Sequence, residues 1–286
     1  MIEVRRVSKS FKGVKALNDV SFTIDRGEFV LLLGPNGSGK TTLLRCMVGL
    51  LSFQGEILID GMDVRGESRR VRRIVGYLPQ NLSLYNDMTC YQVLDFFSNL
   101  RGVDIVLEDV LEPLGLMDKA DTKIGELSGG MRQKLGLTIA LLGDPEILLL
   151  DEPFNNMDAE GRAEAIKLLL NLRERGKTII VSTHTISGLL PISDRIIIME
   201  GGKVISHSTS RELLKILNLS YKVHILANGS INVSEGIVTR HPTGWITVST
   251  NNLLKTLDEI IGSVDGRIIV EEPDVDELIM RIKREI

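Results

Sequence analysis

The chain has 286 residues and a formal net charge of −4. That length allows one sizeable core with room for a small second domain. The charge leaves no global basic field to gather nucleic acid or anionic lipid, so no nucleic-acid partner is expected. Cys46 and Cys90 make no disulfide framework and read as reduced thiols. No apolar run approaches the roughly 18 residues of a spanning helix, and Met1–Arg6 has no apolar signal region behind its charges. The expectation is a cytoplasmic chain that would need another chain to act within a membrane.

Ile2–Val7, Val20–Ile24 and Gly55–Ile59 alternate apolar and polar residues and predict half-buried strands, flanked by the turn signals Asp25-Arg26-Gly27 and Asp60-Gly61. Phe29–Leu33 is apolar throughout, as a central parallel strand should be. Helical spacing follows over Thr41–Leu51, Asp87–Arg101 and Ile105–Leu114. Ser128 is placed to cap a helix over Gly129–Leu142 that ends at Gly143-Asp144-Pro145. Ile147–Leu150 and Thr178–Ser182 read as buried strands on either side of a helix over Ala159–Glu174. A short helix is expected over Ile186–Leu190, then a hairpin of Arg195–Met199 and Lys203–His207 about Gly201-Gly202. Beyond about Ser220 the texture changes to strands at Tyr221–Ala227, Trp245–Thr250 and Arg267–Glu271, with helices over Asn252–Ile261 and Asp274–Arg284. Alternating strands and helices imply an α/β protein built on a mainly parallel sheet.

Three motifs carry chemistry. Gly34-Pro35-Asn36-Gly37-Ser38-Gly39-Lys40-Thr41 fits G-x-x-x-x-G-K-[ST] with a strand before it and a helix after it. Its glycines let backbone N–H groups curl around phosphate oxygens, and the helix N-terminus adds its positive end. Lys40 can reach the β and γ phosphates, and the Thr41 hydroxyl can hold Mg²⁺. Ile147–Leu150 ends in Asp151-Glu152-Pro153, which puts the Asp151 carboxylate at the mouth of the sheet to orient Mg²⁺. Glu152 points elsewhere and is the candidate general base for an attacking water. Between the two lies Leu127-Ser128-Gly129-Gly130-Met131-Arg132-Gln133.

In that order the motifs resemble the ATP-binding subunit of an ABC transporter over about residues 1–215. The resemblance implies a P-loop NTPase fold: a mixed, mainly parallel sheet, an antiparallel β subdomain and a helical subdomain at about 85–143; beyond it the change of texture reads as a small α+β C-terminal domain at 216–286. It implies two ATP-binding domains packed head to tail, as homodimer or heterodimer. Ser128, Gly129 and Gly130 of one would cap the γ-phosphate held by Gly34–Thr42 of the other. Gln80 matches the Mg²⁺-sensing glutamine, His184 the switch histidine at the γ-phosphate, Phe11 the aromatic against adenine, and Asp158 the acid of the loop crossing the dimer interface. Asn156-Met157 departs from the family's small residue and leucine, and Phe154 from its threonine, both where the two sites communicate.

The implied partners are polytopic permease subunits on separate chains, with this chain peripheral on the inner face of the cell membrane. The family receives its membrane partner beside Gln80 and the helix at Asp87–Arg101. Glu272–Ile279, and Leu84-Tyr85 before Met88-Thr89, are similar to ATPases of drug-resistance, sodium-extrusion and nitrous-oxide-reductase-maturation exporters. Two other readings stand beside this one: a soluble ABC ATPase acting on ribosomes or DNA, and a non-catalytic nucleotide sensor. The full set Glu152, Gln80 and His184 argues against the sensor.

Overall fold

The computed structural model describes residues 1–185, 189–210, 212–213, 221–226, 233–234, 236–242, 244–250, 253–261, 267–271, 279–280 and 282. Residues 272–278 of the Glu272–Ile279 ending, the start of the helix expected at Ile186–Leu190 and most of the one at Asp274–Arg284 lie outside these residues.

In chain order the strands are β1 (Ile2–Phe11), β2 (Val14–Ile24), β3 (Phe29–Leu33), β4 (Gln54–Ile59), β5 (Met62–Asp63), β6 (Val75–Leu78), β7 (Ile147–Asp151), β8 (Thr178–Thr183), β9 (Arg195–Glu200), β10 (Lys203–Thr209), β11 (Tyr221–Leu226), β12 (Ile237–Arg240), β13 (Trp245–Thr250) and β14 (Arg267–Glu271). The α-helices are α1 (Lys40–Met47), α2 (Ser68–Ile74), α3 (Cys90–Arg101), α4 (Leu107–Leu111), α5 (Gly129–Leu141), α6 (Ala159–Glu174) and α7 (Leu253–Ile261).

The strands form three sheets. The central one runs β10-β9-β3-β8-β7-β6, parallel except for β10, which pairs antiparallel with β9. An antiparallel sheet β2-β1-β4-β5 and a C-terminal antiparallel sheet β12-β13-β11-β14 complete the set.

The central strands are apolar in every position because both of their faces are covered. Phe29, Leu31 and Leu33 face one core together with Leu148, Leu150, Ile179 and Val181. Val30 and Leu32 face another with Ile147, Leu149 and Ile180. The period-2 alternation of a strand thus divides one uninterrupted apolar run between two layers. The first core is closed by Leu137 and Ala140 of α5 and Ala165 and Leu169 of α6, and it also takes in Ile279 and Ile282. The second is closed by α1 and by the inward residues of the antiparallel sheet, Ile2, Val4, Ile24 and Ile57. A third cluster, with Val93, Leu94, Leu111, Leu135 and Ile139, holds the helical part together. A fourth, of Val223, Ile225, Ile246, Val248 and Ile260, lies within the C-terminal sheet and α7.

Several boundaries differ from expectation for local reasons. The helix predicted over Thr41–Leu51 stops at Met47, because Gly49 turns at φ 70° and the Leu50 N–H donates to the Arg45 carbonyl. The helix predicted from Asp87 starts at Cys90, where Thr89 and Gln92 form a reciprocal capping box. The helix predicted over Ile105–Leu114 is α4 followed by a 3₁₀ turn, Glu112–Leu114, with Pro113 inside it. Helix α2 and strand β6 had no expectation: Ser68–Ile74 carries four arginines and buries Val71 alone, and Val75–Leu78 is four residues long.

Strand β6 depends on Gly76, where an added Cβ would lie 2.1 Å from the Ala140 carbonyl oxygen and 2.8 Å from Leu148. Gly76→Ala is therefore expected to lower stability by about 1–3 kcal/mol through overpacking between β6, β7 and α5. Urea denaturation followed by circular dichroism checks this.

Candidate functional site

Parallel strands side by side bring their C-terminal ends to one edge of the sheet. Registers put Leu33 level with Thr183, Asp151 level with Ser182, and Leu78 level with Leu150. The residues that follow those ends are Gly34, His184, Glu152 and, two beyond Leu78, Gln80. Chain order and strand order differ, so segments far apart in sequence meet there.

The loop after β3 is shaped by its glycines. Gly39 caps α1 at φ 105°, and a Cβ there would meet the Ala16 carbonyl at 2.5 Å. Gly37, at φ 79°, faces open space. The Ser38 N–H donates to Pro35 O at 3.2 Å, and Ser38 O accepts from Gly202 N at 3.1 Å, which fastens the loop to the β9–β10 hairpin. Lys40 is buried, and its Nζ donates to Gly34 O at 2.7 Å and Pro35 O at 3.1 Å. Burial holds the Lys40 ammonium pKa below its usual 10.5, against the pull of Glu152 and Asp151.

The acids of β7 are held with equal care. Asp151 is fully buried, and its Oδ1 accepts from Ser182 Oγ at 2.5 Å. The Glu152 N–H donates to Ser182 O at 3.1 Å and to Ser182 Oγ at 3.2 Å, while Glu152 O accepts from Gln133 Nε2 at 3.1 Å. Glu152 sits in the left-handed region at φ 51°, which costs an L residue roughly 1–2 kcal/mol. Its Oε1 lies 2.9 Å from His184 Nδ1, with the carboxylate buried and the imidazole half-exposed. With Glu152 ionised, the Nδ1–H is the donor.

One groove is lined by Ala16, Asn36–Thr42, Gln80 and Glu152. Two polar atoms beside this constellation, Ser38 Oγ and Asp151 Oδ2, are buried without a hydrogen-bond partner. A carboxylate oxygen and a hydroxyl left in that condition fit a cation that takes oxygen ligands and completes its shell with phosphate and water. Among the described residues no cluster of three His, Cys, Asp or Glu forms a metal cage.

Other sequence-selected residues stand apart. Phe11, at the end of β1, is 44% exposed, with Lys9 Nζ 5.1 Å above its ring, and it does not line the groove. Ser128 is exposed and caps α5 by accepting from Met131 N at 3.2 Å. Gly129 and Gly130 pack against Asn156, where added Cβ atoms would meet Asn156 Cβ at 3.1 Å and Asn156 O at 2.8 Å. Asn156 itself is left-handed at φ 61°, a conformation asparagine tolerates better than most residues. Asp158 caps α6 by accepting from Gly161 N at 2.8 Å. Sequence reading missed Ala16, Ser182 and Gln133. Ser182 and Thr183 end the apolar core of β8, and Gln133 closes the Leu127–Gln133 motif, but no local spacing pointed to the contact that either makes with the acids.

The family model described as ABC transporter matches residues 17–155. The ABC transporter ATP-binding protein YhcH of Bacillus subtilis is 40% identical over 72% of this chain and 68% of its own length. The Nod factor export ATP-binding protein I of Burkholderia lata is 37% identical over 75% of this chain and 72% of its own. Among solved structures, an ATP-binding subunit of an ABC transporter superposes with a TM-score of 0.70 at 27% identity, covering 75% of this chain and 92% of that one. A dimeric post-hydrolysis ATP-binding cassette bound to ADP and Pi gives 0.68 at 28% identity, over 74% and 99%.

A buried ammonium with a lowered pKa opposes folding at neutral pH. As pH rises toward 10.5 the unfolded chain binds more protons than the folded one, so the Lys40 contribution becomes less unfavourable. The stability of the parent protein relative to Lys40→Met should therefore rise as pH climbs toward 10.5 in chemical denaturation. The same variant should lose the thermal shift given by ATP.

Proposed function

The chain belongs to the ABC transporter family of ATP-binding proteins, and on that footing we propose that it is the energy-coupling ATPase of an exporter, working as a head-to-tail dimer on separate permease subunits. ATP binding and hydrolysis are the family's chemistry. The observation that carries the reading is the convergence, at one sheet edge, of the Gly34–Thr42 loop, Asp151, Glu152, Gln80 and His184.

In this reading Gly34–Thr42 and Lys40 hold the triphosphate, and Phe11 lies against the adenine. Thr41, Asp151 and Gln80 hold Mg²⁺, which neutralises phosphate charge when bound. Glu152 is the general base for the attacking water. His184, bound to Glu152 through Nδ1, fixes the carboxylate and faces the γ-phosphate. Ser128 and Gly129 are exposed, and none of Ser128, Gly129 and Gly130 lines its own chain's groove, which supports their use by a second ATP-binding domain. Asp158 lies in the loop between the two sites. Closure of such a dimer on ATP and its opening after hydrolysis would be the ligand-biased step. The division proposed is 1–215 for the ATP-binding domain, with a helical part at about 85–143, and 216–286 for the small C-terminal domain. Export is supported by the similarity to the Nod factor export protein. A place at the inner face of the cell membrane follows from docking, since among the described residues no helix is long and apolar enough to cross a membrane.

Docking is supported by an apolar groove between α2 and α3, lined by Leu50, Phe97, Leu100 and Ile139 and rimmed by Arg69, Arg72, Arg73 and Arg101, with no acid among its lining residues. Glu152→Gln should keep ATP binding and cut turnover by on the order of 10²–10⁴; near-normal turnover would remove Glu152 as the base. Arg72→Glu with Arg73→Glu should abolish copurification of a polytopic membrane protein from native membranes. Copurification of ribosomes or DNA in its place would favour the soluble ATPase.

A further inference from the structure

A general base works only if its carboxylate is held in one place, and Glu152 is held through its backbone. The residue before a proline is kept from ordinary helical backbone, and Pro153 follows Glu152. Glu152 is moreover left-handed, at φ 51°. Its N–H is tied to Ser182 on β8. Its carbonyl is tied to the Gln133 side chain at 3.1 Å and, at the longer distance of 3.3 Å, to the Asn155 N–H. Gln133 is buried, and the Nε2 must be the atom facing the carbonyl, since Oε1 there would set two acceptors against each other.

Gln133 lies on α5, one turn beyond Gly129 and Gly130. The start of the same helix packs on Asn156, four residues past Glu152. One helix therefore begins at the exposed Ser128 and Gly129 and also grips the peptide of Glu152 in its own chain. We infer that Gln133 is a positioning residue for the Glu152 carboxylate, making the aim of the base depend on where the Ser128–Gly130 helix sits. This rests on Glu152 being the general base. The step itself is unchanged: a water loses its proton to Glu152 as its oxygen bonds to the γ-phosphorus and the bond to ADP breaks.

Gln133→Glu keeps the size of the side chain and removes both amide donors; Gln133→Met removes them without adding charge. The test is steady-state ATPase kinetics of the full chain with MgATP, with Glu152→Gln measured alongside and folding read from the thermal transition. In the Gln133 variants kcat should fall by about 10- to 100-fold while the KM for ATP stays within about twofold and the ATP-induced thermal shift persists. A kcat within about twofold of the parent in either folded variant overturns the inference. So does a KM that changes in step with kcat, or loss of the folded transition in both, since Gln133 would then serve packing alone. If Glu152→Gln is inactive while the Gln133 variants turn over normally, only this inference fails. If Glu152→Gln turns over normally, the reading of Glu152 as base fails first.

Discussion

Everything at the site depends on parallel strands that are buried on both faces. Strands β3, β8 and β7 bury every residue, and their alternate side chains fill two different cores. A slip of one residue in any of them would exchange the two sets and mismatch both cores at once. That double commitment fixes the height at which each strand ends. It brings the Gly34 turn, Asp151, Glu152 and His184 to one edge, where Ser182 bonds both Asp151 and Glu152 and His184 meets Glu152. Large-to-small changes in such a core cost about 2–5 kcal/mol apiece, enough to hold a small number of unfavourable features at the edge.

Those unfavourable features are the useful ones. Lys40, Asp151 and Glu152 are all buried, and burial disfavours the charged form of Lys40. Glu152 and Asn156 are both left-handed without being glycine. Ser38 Oγ and Asp151 Oδ2 lack hydrogen-bond partners. Lys40, Ser38 and Glu152 line the groove, and Asp151 lies beside it at the end of β7. A weakly solvated edge strengthens every electrostatic contact made there. Around this edge the backbone is pinned by groups that belong to other elements, Ser182 of β8 and Gln133 of α5. A resting fold built this way gives up some stability in return for an arrangement that needs little movement when charge develops.

The same chain carries two surfaces with no counterpart of their own among the described residues. Ser128 and Gly129 are exposed at the start of α5 and do not line the groove, and the Arg69, Arg72, Arg73 and Arg101 rim surrounds apolar Phe97 and Leu100 in a chain whose net charge is negative. The C-terminal sheet has its own small core of Val223, Ile225, Ile246, Val248 and Ile260. Ile279 and Ile282 belong to the first core, with Leu169 and Leu172 among its members.

The sequence by itself determined the phosphate-binding loop, the buried strands and their acids, the Ser128 cap and the limits of α6, because these rest on local chemistry. A glycine pattern, an unbroken apolar run or a capping hydroxyl acts on its immediate neighbours. The family resemblance extended that reading to Phe11, Gln80, His184 and Asp158. Helix α2 and strand β6 were hidden, since Ser68–Ile74 buries one residue and Val75–Leu78 owes its place to partners on β7. The grip of Ser182 on Asp151, of Gln133 on the Glu152 carbonyl and of Asn156 on Gly129 and Gly130 spans 31, 19 and more than 20 residues of chain. Only the tertiary structure decided those contacts, because a hydrogen bond or a steric contact between distant segments depends on which strand lies beside which, and no local spacing records that order.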